Sequence, residues 1–305
     1  MKVLVTIITL LVVGAAGKEN QTLDGCQTEC GGVPILFPFG AGKSTTTGKT
    51  CFLEDTFRVT CVNGTLYSGE IQVLSINIVE GQVDAMVSVA GVCVFSPPPG
   101  SQYIIKNNDA DDGSTVGLTS DYSFSVSSKD NKFITVGCDS YGYLNSFDDD
   151  TVYSTGCLTR CYGNTEKVVD GSCSGIGCCQ VDIPPGMRNI SIKAFSFENF
   201  NRSSWFNNCS YSFVVKNGNY TFSKSHLENL PYKMVPVVID WSVGGETCEA
   251  SRNRGTNACK GNSTCVNSDA GYGYRCKCDE GFQGNPYHPD GCTGNSSIIM
   301  KLLYA

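Results

Sequence analysis

The chain has 305 residues, a net charge of −7 and a hydrophobic fraction of 41%. That length allows two or three domains and that composition a buried core, which excludes a disordered chain, while the acidic balance excludes the basic footprint of a nucleic-acid binder. Its 18 cysteines, an even number that all lie beyond residue 25, would be a liability in a reducing compartment and point instead to a disulfide framework in a secreted protein.

The N-terminus agrees. Lys2 is followed by an apolar run over residues 3–13 and by Ala15-Ala16-Gly17, the pattern of a cleaved signal peptide spanning 1–17. Residues 18–25 read as a short lead. Eight asparagines begin N-x-S/T sequons: Asn20, Asn63, Asn189, Asn201, Asn208, Asn219, Asn262 and Asn295. Zinc is the other use of cysteine, but His226 and His288 are the only histidines, and both read as exposed surface residues.

The first cysteine-rich segment, 26–95, opens with Cys26, Cys30, Gly31, Gly32 and an apolar run through Pro34 and Pro38 to Gly40. Each proline holds its predecessor extended, so a ribbon with Phe37 and Phe39 on one face is expected. Leu74, Ile76 and Ile78 alternate with polar residues, the period of a half-buried strand, and residues 85–95 read as another strand. A proline break at 97–100 and an exposed loop at 106–114 follow. Tyr122, Phe124 and Val126 alternate with serines, and residues 133–137 read as the return strand of a hairpin. Asp148-Asp149-Asp150 reads as a solvated loop. Ile190 and Ile192 alternate with Ser191 and Lys193. Tyr211, Phe213 and Val215 lead into Asn217-Gly218, and Tyr220 and Phe222 lead out, a strong hairpin signal. One modest helix is expected at 223–230. An apolar connector at 232–243 separates 12 cysteines, Cys26 to Cys209, from the last six. Both sets are even, so each can close its own bridges.

Three motifs converge. They are Cys-Gly-Gly to Pro-Phe-Gly at 30–40, Gly-Cys-Cys-Gln to Ile-Pro-Pro-Gly at 177–186, and Cys278 to Cys292 with Gly281-Phe282 between them. In this order they resemble the ectodomain of plant wall-associated receptor kinases, and the resemblance covers residues 26–292. It implies a galacturonan-binding module at 18–95, a second cysteine-rich β domain at 96–243, an EGF-like module at 244–292 and a short tail at 293–305. The expected fold is all-β and disulfide-rich, a two-part β body followed by the small EGF-like module. For that module the resemblance implies the bridges Cys248–Cys265, Cys259–Cys276 and Cys278–Cys292. A unit of about 45 residues needs such bridges, each closed loop of about 15 residues contributing roughly 3 kcal/mol. Adjacent Cys178 and Cys179 should pair in different directions. The pairing of the first twelve cysteines stays open.

The family continues into a calcium-binding EGF repeat, a membrane helix and a kinase. This sequence ends 13 residues after Cys292 and lacks the Gly-rich loop, HRD and DFG elements. The expectation is a secreted ectodomain-only relative or a truncated receptor, located in the cell wall. No catalytic constellation stands out, so no enzyme is expected. The resemblance implies binding of pectin, as oligogalacturonide. Lys43, Lys49 and Arg58 are the expected carboxylate partners, and Phe37 and Phe39 the aromatic ones. Calcium is the weaker option as a cofactor, since Glu246 alone precedes Cys248, with Asn267 and Tyr272 or Tyr274 later. The competing function is a protein-interaction module that regulates a receptor ectodomain partner through the EGF-like unit.

Overall fold

The computed structural model describes residues 21–95, 104–107, 116–118, 123–148, 151–197, 207–269 and 271–294. The signal segment, the proline break, the sequons at Asn20, Asn201 and Asn295, and Asp149 and Asp150 lie outside the described residues. So does most of the loop expected from Lys106; Lys106 and Asn107 close the strand Ile104–Asn107.

The chain is almost entirely strand. Three antiparallel sheets build the body. The six-stranded sheet runs Phe124–Val126, Met234–Trp241, Gln82–Ser88, Ile71–Asn77, Thr65–Ser68, Thr60–Val62. The five-stranded sheet runs Cys178–Asp182, Asn131–Val136, Cys209–Lys216, Ala90–Phe95, Ile104–Asn107. The four-stranded sheet runs Thr151–Thr159, Ser140–Asp148, Ile190–Ser196, Val116–Leu118. Six disulfides staple this body and three more close the C-terminal unit, and the described residues contain no free cysteine. Cys178 pairs with Cys173 and Cys179 with Cys157, because neighbouring residues of a strand face opposite ways. The other body bridges are Cys26–Cys51, Cys30–Cys61, Cys93–Cys209 and Cys138–Cys161.

Several local expectations are corrected by long-range pairing. The hairpin expected across residues 122–137 does not form. Phe124–Val126 pairs with Met234–Trp241, while Asn131–Val136 lies between Cys178–Asp182 and Cys209–Lys216. Phe133, Ile134, Thr135 and Val136 are all buried, and a strand covered on both faces sits inside a sheet. The Asn217-Gly218 turn is present, with Asn219 N donating to Lys216 O at 3.0 Å. Its expected return strand is absent: Tyr220 and Phe222 lie outside any strand, and Cys209–Lys216 pairs instead with Asn131–Val136 on one side and, over Cys209–Ser212, with Ala90–Cys93 on the other. The expected strand 85–95 is two strands that break at Val89 and pass from one sheet to the next. Leu74 falls at a bulge and is exposed, while Val73 and Ile76 face the core. Asp148 closes a strand rather than forming a loop. The strand-like connector expected at 232–243 does hold a strand, but Met234–Trp241 is an inner strand of the six-stranded sheet and not a connection beside it. Hydrogen bonding therefore crosses the expected boundary at 95/96.

The expected helix at 223–230 is only a single 3-10 turn, Lys224–Leu227. The α-helix lies instead at Cys248–Arg254, capped by Thr247, whose Oγ1 accepts from Ala250 N at 3.2 Å, and ended by Gly255 in the left-handed region. Both histidines expected on the surface are buried. His288 Nδ1 accepts from Asp290 N at 3.2 Å. His226 Nδ1 accepts from Ser223 N at 3.3 Å and lies 3.1 Å from the Tyr220 hydroxyl. Burial lowers the His226 pKa below its ordinary 6.5, against an opposing pull from Asp170. The unfolded chain thus takes up this proton more readily than the folded one. Stability is expected to fall as pH drops through about 6.5 and to level off below the folded pKa. Urea unfolding as a function of pH checks this. His226→Asn, whose Oδ1 can replace Nδ1 as acceptor, should flatten that part of the profile; an unchanged profile refutes the assignment.

Candidate functional site

The Cys-Gly-Gly and Pro-Phe-Gly motifs work through close backbone approach. A Cβ on Gly31 would lie 1.8 Å from Gly64 O, and one on Gly40 would lie 2.0 Å from Cys51 O. Both glycines let the ribbon lie flat against the strands it caps. Phe37 and Phe39 are then driven inward, to 7% and 1% exposure. This corrects the expectation that they offer ring faces to a ligand. Phe39 meets Phe57 at 5.1 Å and Trp241 at 5.4 Å, both edge to face, and Trp241 meets Tyr287 of the EGF-like unit at 5.4 Å.

Above this cluster the six-stranded sheet leaves a cleft of about 230 Å³. Its floor is apolar: Phe39, Val73, Val83, Ala85, Phe124 and Ile239. One wall is the 3-10 turn Asp55–Phe57 with Arg58; the other is Arg188-Asn189-Ile190, at the entry to the strand Ile190–Ser196. Ser68, Ser125 and Thr56 add hydroxyls. An apolar floor with a few convergent polar groups suits a small ligand segment.

Arg58 is exposed, and no ion pair involving it occurs among the described residues. It is held by backbone pairing with Gly40. Arg188 is buried. Its Nη2 donates to Asp148 Oδ1 at 2.6 Å, and its guanidinium lies 3.3 Å from the ring centroid of Tyr272, whose hydroxyl donates to Asp148 Oδ2 at 3.2 Å. Lys43 and Lys49 are exposed on the hairpin that continues from Gly40, where Lys43 pairs with Thr50. Neither lines the cleft. Of the five expected contact residues, the cleft gathers Arg58 and, as floor, Phe39. Sequence reasoning missed Arg188, Asn189 and Phe124. A signal for the first two existed, since they follow the Ile183 to Gly186 motif directly.

The EGF-like unit carries the bridges Cys248–Cys265, Cys259–Cys276 and Cys278–Cys292. It is docked on the first module. Asn285 Nδ2 donates to Gln21 O at 3.1 Å and to Phe37 O at 2.6 Å, and Arg275 donates to Glu80 O. Of the oxygens considered for calcium, Glu246 Oε1 and Asn267 Oδ1 are engaged, while Glu246 Oε2 is buried without a hydrogen-bond partner among the described residues. Glu246 is ion-paired with Arg254, and Asn267 Oδ1 accepts from Cys248 N at 2.8 Å. Among the described residues no group of three or more His, Cys, Asp or Glu could hold a metal ion. The described sequon residues Asn63, Asn219 and Asn262 are exposed, and Asn189 and Asn208 are half-buried. Asn63 and Gly64 form the tight turn between Thr60–Val62 and Thr65–Ser68.

A strand-built body stapled by disulfides, with a small three-bridge unit docked on it, defines an all-β, disulfide-rich protein of extracellular type. Over nearly all of its length the chain is homologous to the ectodomain region of the wall-associated receptor kinases. Wall-associated receptor kinase 2 of Arabidopsis thaliana is 38% identical over 96% of this chain and 37% of its own length. Wall-associated receptor kinase 5 of the same plant is 38% identical over 93% of this chain and 36% of its own, and wall-associated receptor kinase 3 is 35% identical over 97% and 39%. The chain thus spans little more than a third of these relatives. No protein-family model and no solved structure matches it. The homology implies an extracellular or cell-wall location. No helix among the described residues is long and apolar enough to cross a membrane.

Proposed function

We propose that this protein binds de-esterified galacturonan, the carboxylated backbone of pectin, without turning it over, and that the cleft beside Arg58 is the contact. The observation that carries the reading is Arg58 itself, an exposed guanidinium with no ion pair among the described residues, set against an apolar floor. A guanidinium pairs with a carboxylate without a preformed cation cage, and the floor takes the less polar side of a sugar ring. Lys43 and Lys49 extend the cationic edge along the hairpin. Because the whole chain carries −7, the attraction is local, and salt weakens it with a screening length of about 8 Å at physiological strength.

Retention on immobilised oligogalacturonides tests this. Arg58→Gln should weaken binding at least tenfold, one charge-assisted bond being worth roughly 1.5–3 kcal/mol. Adding Lys43→Gln and Lys49→Gln should abolish it, and a calcium chelator should leave it unchanged. Loss of binding in chelator with little effect of the three substitutions moves the contact to a calcium bridge. A correctly bridged protein that ignores oligogalacturonides with and without calcium overturns the reading.

A further inference from the structure

The solvent face of an antiparallel sheet is ordinarily polar. The outer face of the four-stranded sheet is not. Ser140–Asp148 buries Ser140, Gly142, Leu144 and Ser146 and turns Tyr141, Tyr143, Asn145 and Phe147 outward. Register extends this into cross-strand rows: Leu158–Tyr141–Phe195, then Gly156–Tyr143–Lys193, then Ser154–Asn145–Ser191. Tyr143 and Leu158 are 45% and 55% exposed. An outward face that carries Tyr141, Tyr143, Phe147, Leu158 and Phe195 is unusually aromatic for a solvated sheet and marks a binding surface.

The central row is built to display a ring. An ideal Cβ on Gly156 would lie 2.9 Å from Tyr143 Cδ1 and 3.1 Å from Cε1, so the ring lies across that glycine, flat on the neighbouring strand. Gly156 is not in the left-handed region, so room for the ring is what favours glycine there. The row above is locked. Tyr141 stacks on Phe195 at 5.0 Å and 13°, Phe197 lies 4.6 Å from Tyr141, and the Arg160 guanidinium covers Phe197 at 3.8 Å. The row below is polar, with Ser154 Oγ donating to Asn145 Oδ1 at 2.7 Å.

Charge selects the occupant. Lys193 stands beside Tyr143 with no ion pair among the described residues. Among the described residues the carboxylates bordering the face are ion-paired, Asp139 with Arg160 at 3.5 Å and Asp148 with Arg188 at 2.6 Å, which leaves Lys193 as the cation beside the exposed ring. A flat exposed ring suits the C–H face of a pyranose, and Lys193 suits a uronate carboxylate.

We infer that this face is a second contact site for an acidic polysaccharide, in which a sugar ring lies on Tyr143 and its carboxylate pairs with Lys193. The inference rests on the reading of the protein as a galacturonan binder, but it places a contact in the second domain, outside the cleft.

Titration of the full-length, bridged protein with de-esterified and methyl-esterified oligogalacturonides separates the two sites. Tyr143→Ala and Lys193→Gln should each weaken binding of the de-esterified chain roughly tenfold, the size of one charge-assisted contact, and should do so also in the Arg58→Gln background. On methyl-esterified chains Lys193→Gln should have no effect while Tyr143→Ala still weakens binding, the signature of a stacking ring beside a carboxylate partner. Gly156→Val, which displaces the ring without removing it, should reproduce Tyr143→Ala. Unfolding midpoints unlike wild type for Tyr143→Ala or Gly156→Val pass the decision to Lys193→Gln. If Arg58→Gln weakens binding and Lys193→Gln does not, the face is not a site and the cleft reading survives. Loss through Tyr143 and Lys193 alone leaves the face standing and removes the cleft. A wild-type protein that ignores both oligosaccharides overturns both. Sedimentation that shows a dimer dissolved by Tyr143→Ala, with sugar binding unaltered, reassigns the face to contact between copies and overturns the proposal.

Discussion

Trp241→Ala is expected to lower the unfolding free energy by about 3–5 kcal/mol, the range for deleting a large aromatic side chain from a core. Trp241 is 2% exposed at the end of the strand Met234–Trp241. Its ring touches Phe39 and Phe57 from the N-terminal ribbon and Tyr287 from the EGF-like unit. Three parts of the chain distant in sequence thus share one buried indole. Its Nε1 has no hydrogen-bond partner among the described residues, and ring contacts and burial hold it there. Trp241→Phe, which keeps an aromatic ring, should cost appreciably less than the alanine. Urea unfolding followed by far-ultraviolet circular dichroism measures both. A loss below about 1 kcal/mol for the alanine variant would mean that the cluster relaxes freely and is no junction.

Asn131→Ala is expected to have an effect of similar size through a different mechanism. Asn131 is fully buried where the chain leaves the six-stranded sheet for the five-stranded one. Its Nδ2 donates to Ser127 O and to Val238 O, both at 2.8 Å, and its Oδ1 accepts from Val238 N at 2.9 Å. One side chain therefore bridges Ser127 and Val238, whose own backbone link is Ser127 N donating to Val238 O at 3.1 Å. Removing it strands two buried backbone groups, Ser127 O and Val238 N, each worth about 1–3 kcal/mol when left unsatisfied. Asn131→Asp is the informative control. It keeps the acceptor for Val238 N but sets a carboxylate oxygen against two carbonyls, so it should rescue little, and less as pH rises. An alanine variant as stable as wild type would show that water replaces the amide and that the crossing does not depend on it.

Asn131 also marks the limit of what the sequence conveys. Its neighbours carry a clear alternating pattern, and that pattern does specify strands: nearly every apolar run from Ile71 to Val243 lies in one. The even cysteine counts, the Cys-Gly-Gly and Pro-Phe-Gly motifs and the EGF-like spacing are local features. They specified a disulfide-stapled β protein and its relatives before any coordinates. Arg58 was legible as a candidate because a cation beside an aromatic-rich ribbon is visible in one dimension. Which strand pairs with which was not. Residues 124–126 and 131–136 looked like two arms of one hairpin, yet each pairs with strands far along the chain; residues 131–136, buried on both faces, need two neighbours, and local sequence names neither. The same blindness made Phe37 and Phe39 look like exposed rings, His226 and His288 like surface residues, and residues 232–243 like a connector between two units. Burial is a property of what the rest of the chain places on top. Arg188 reaches the cleft, and Tyr143 lies flat beside Lys193, only because antiparallel register aligns residues far apart in sequence. Alternation tells which residues share a face of one strand; only the assembled sheets decide what that face meets.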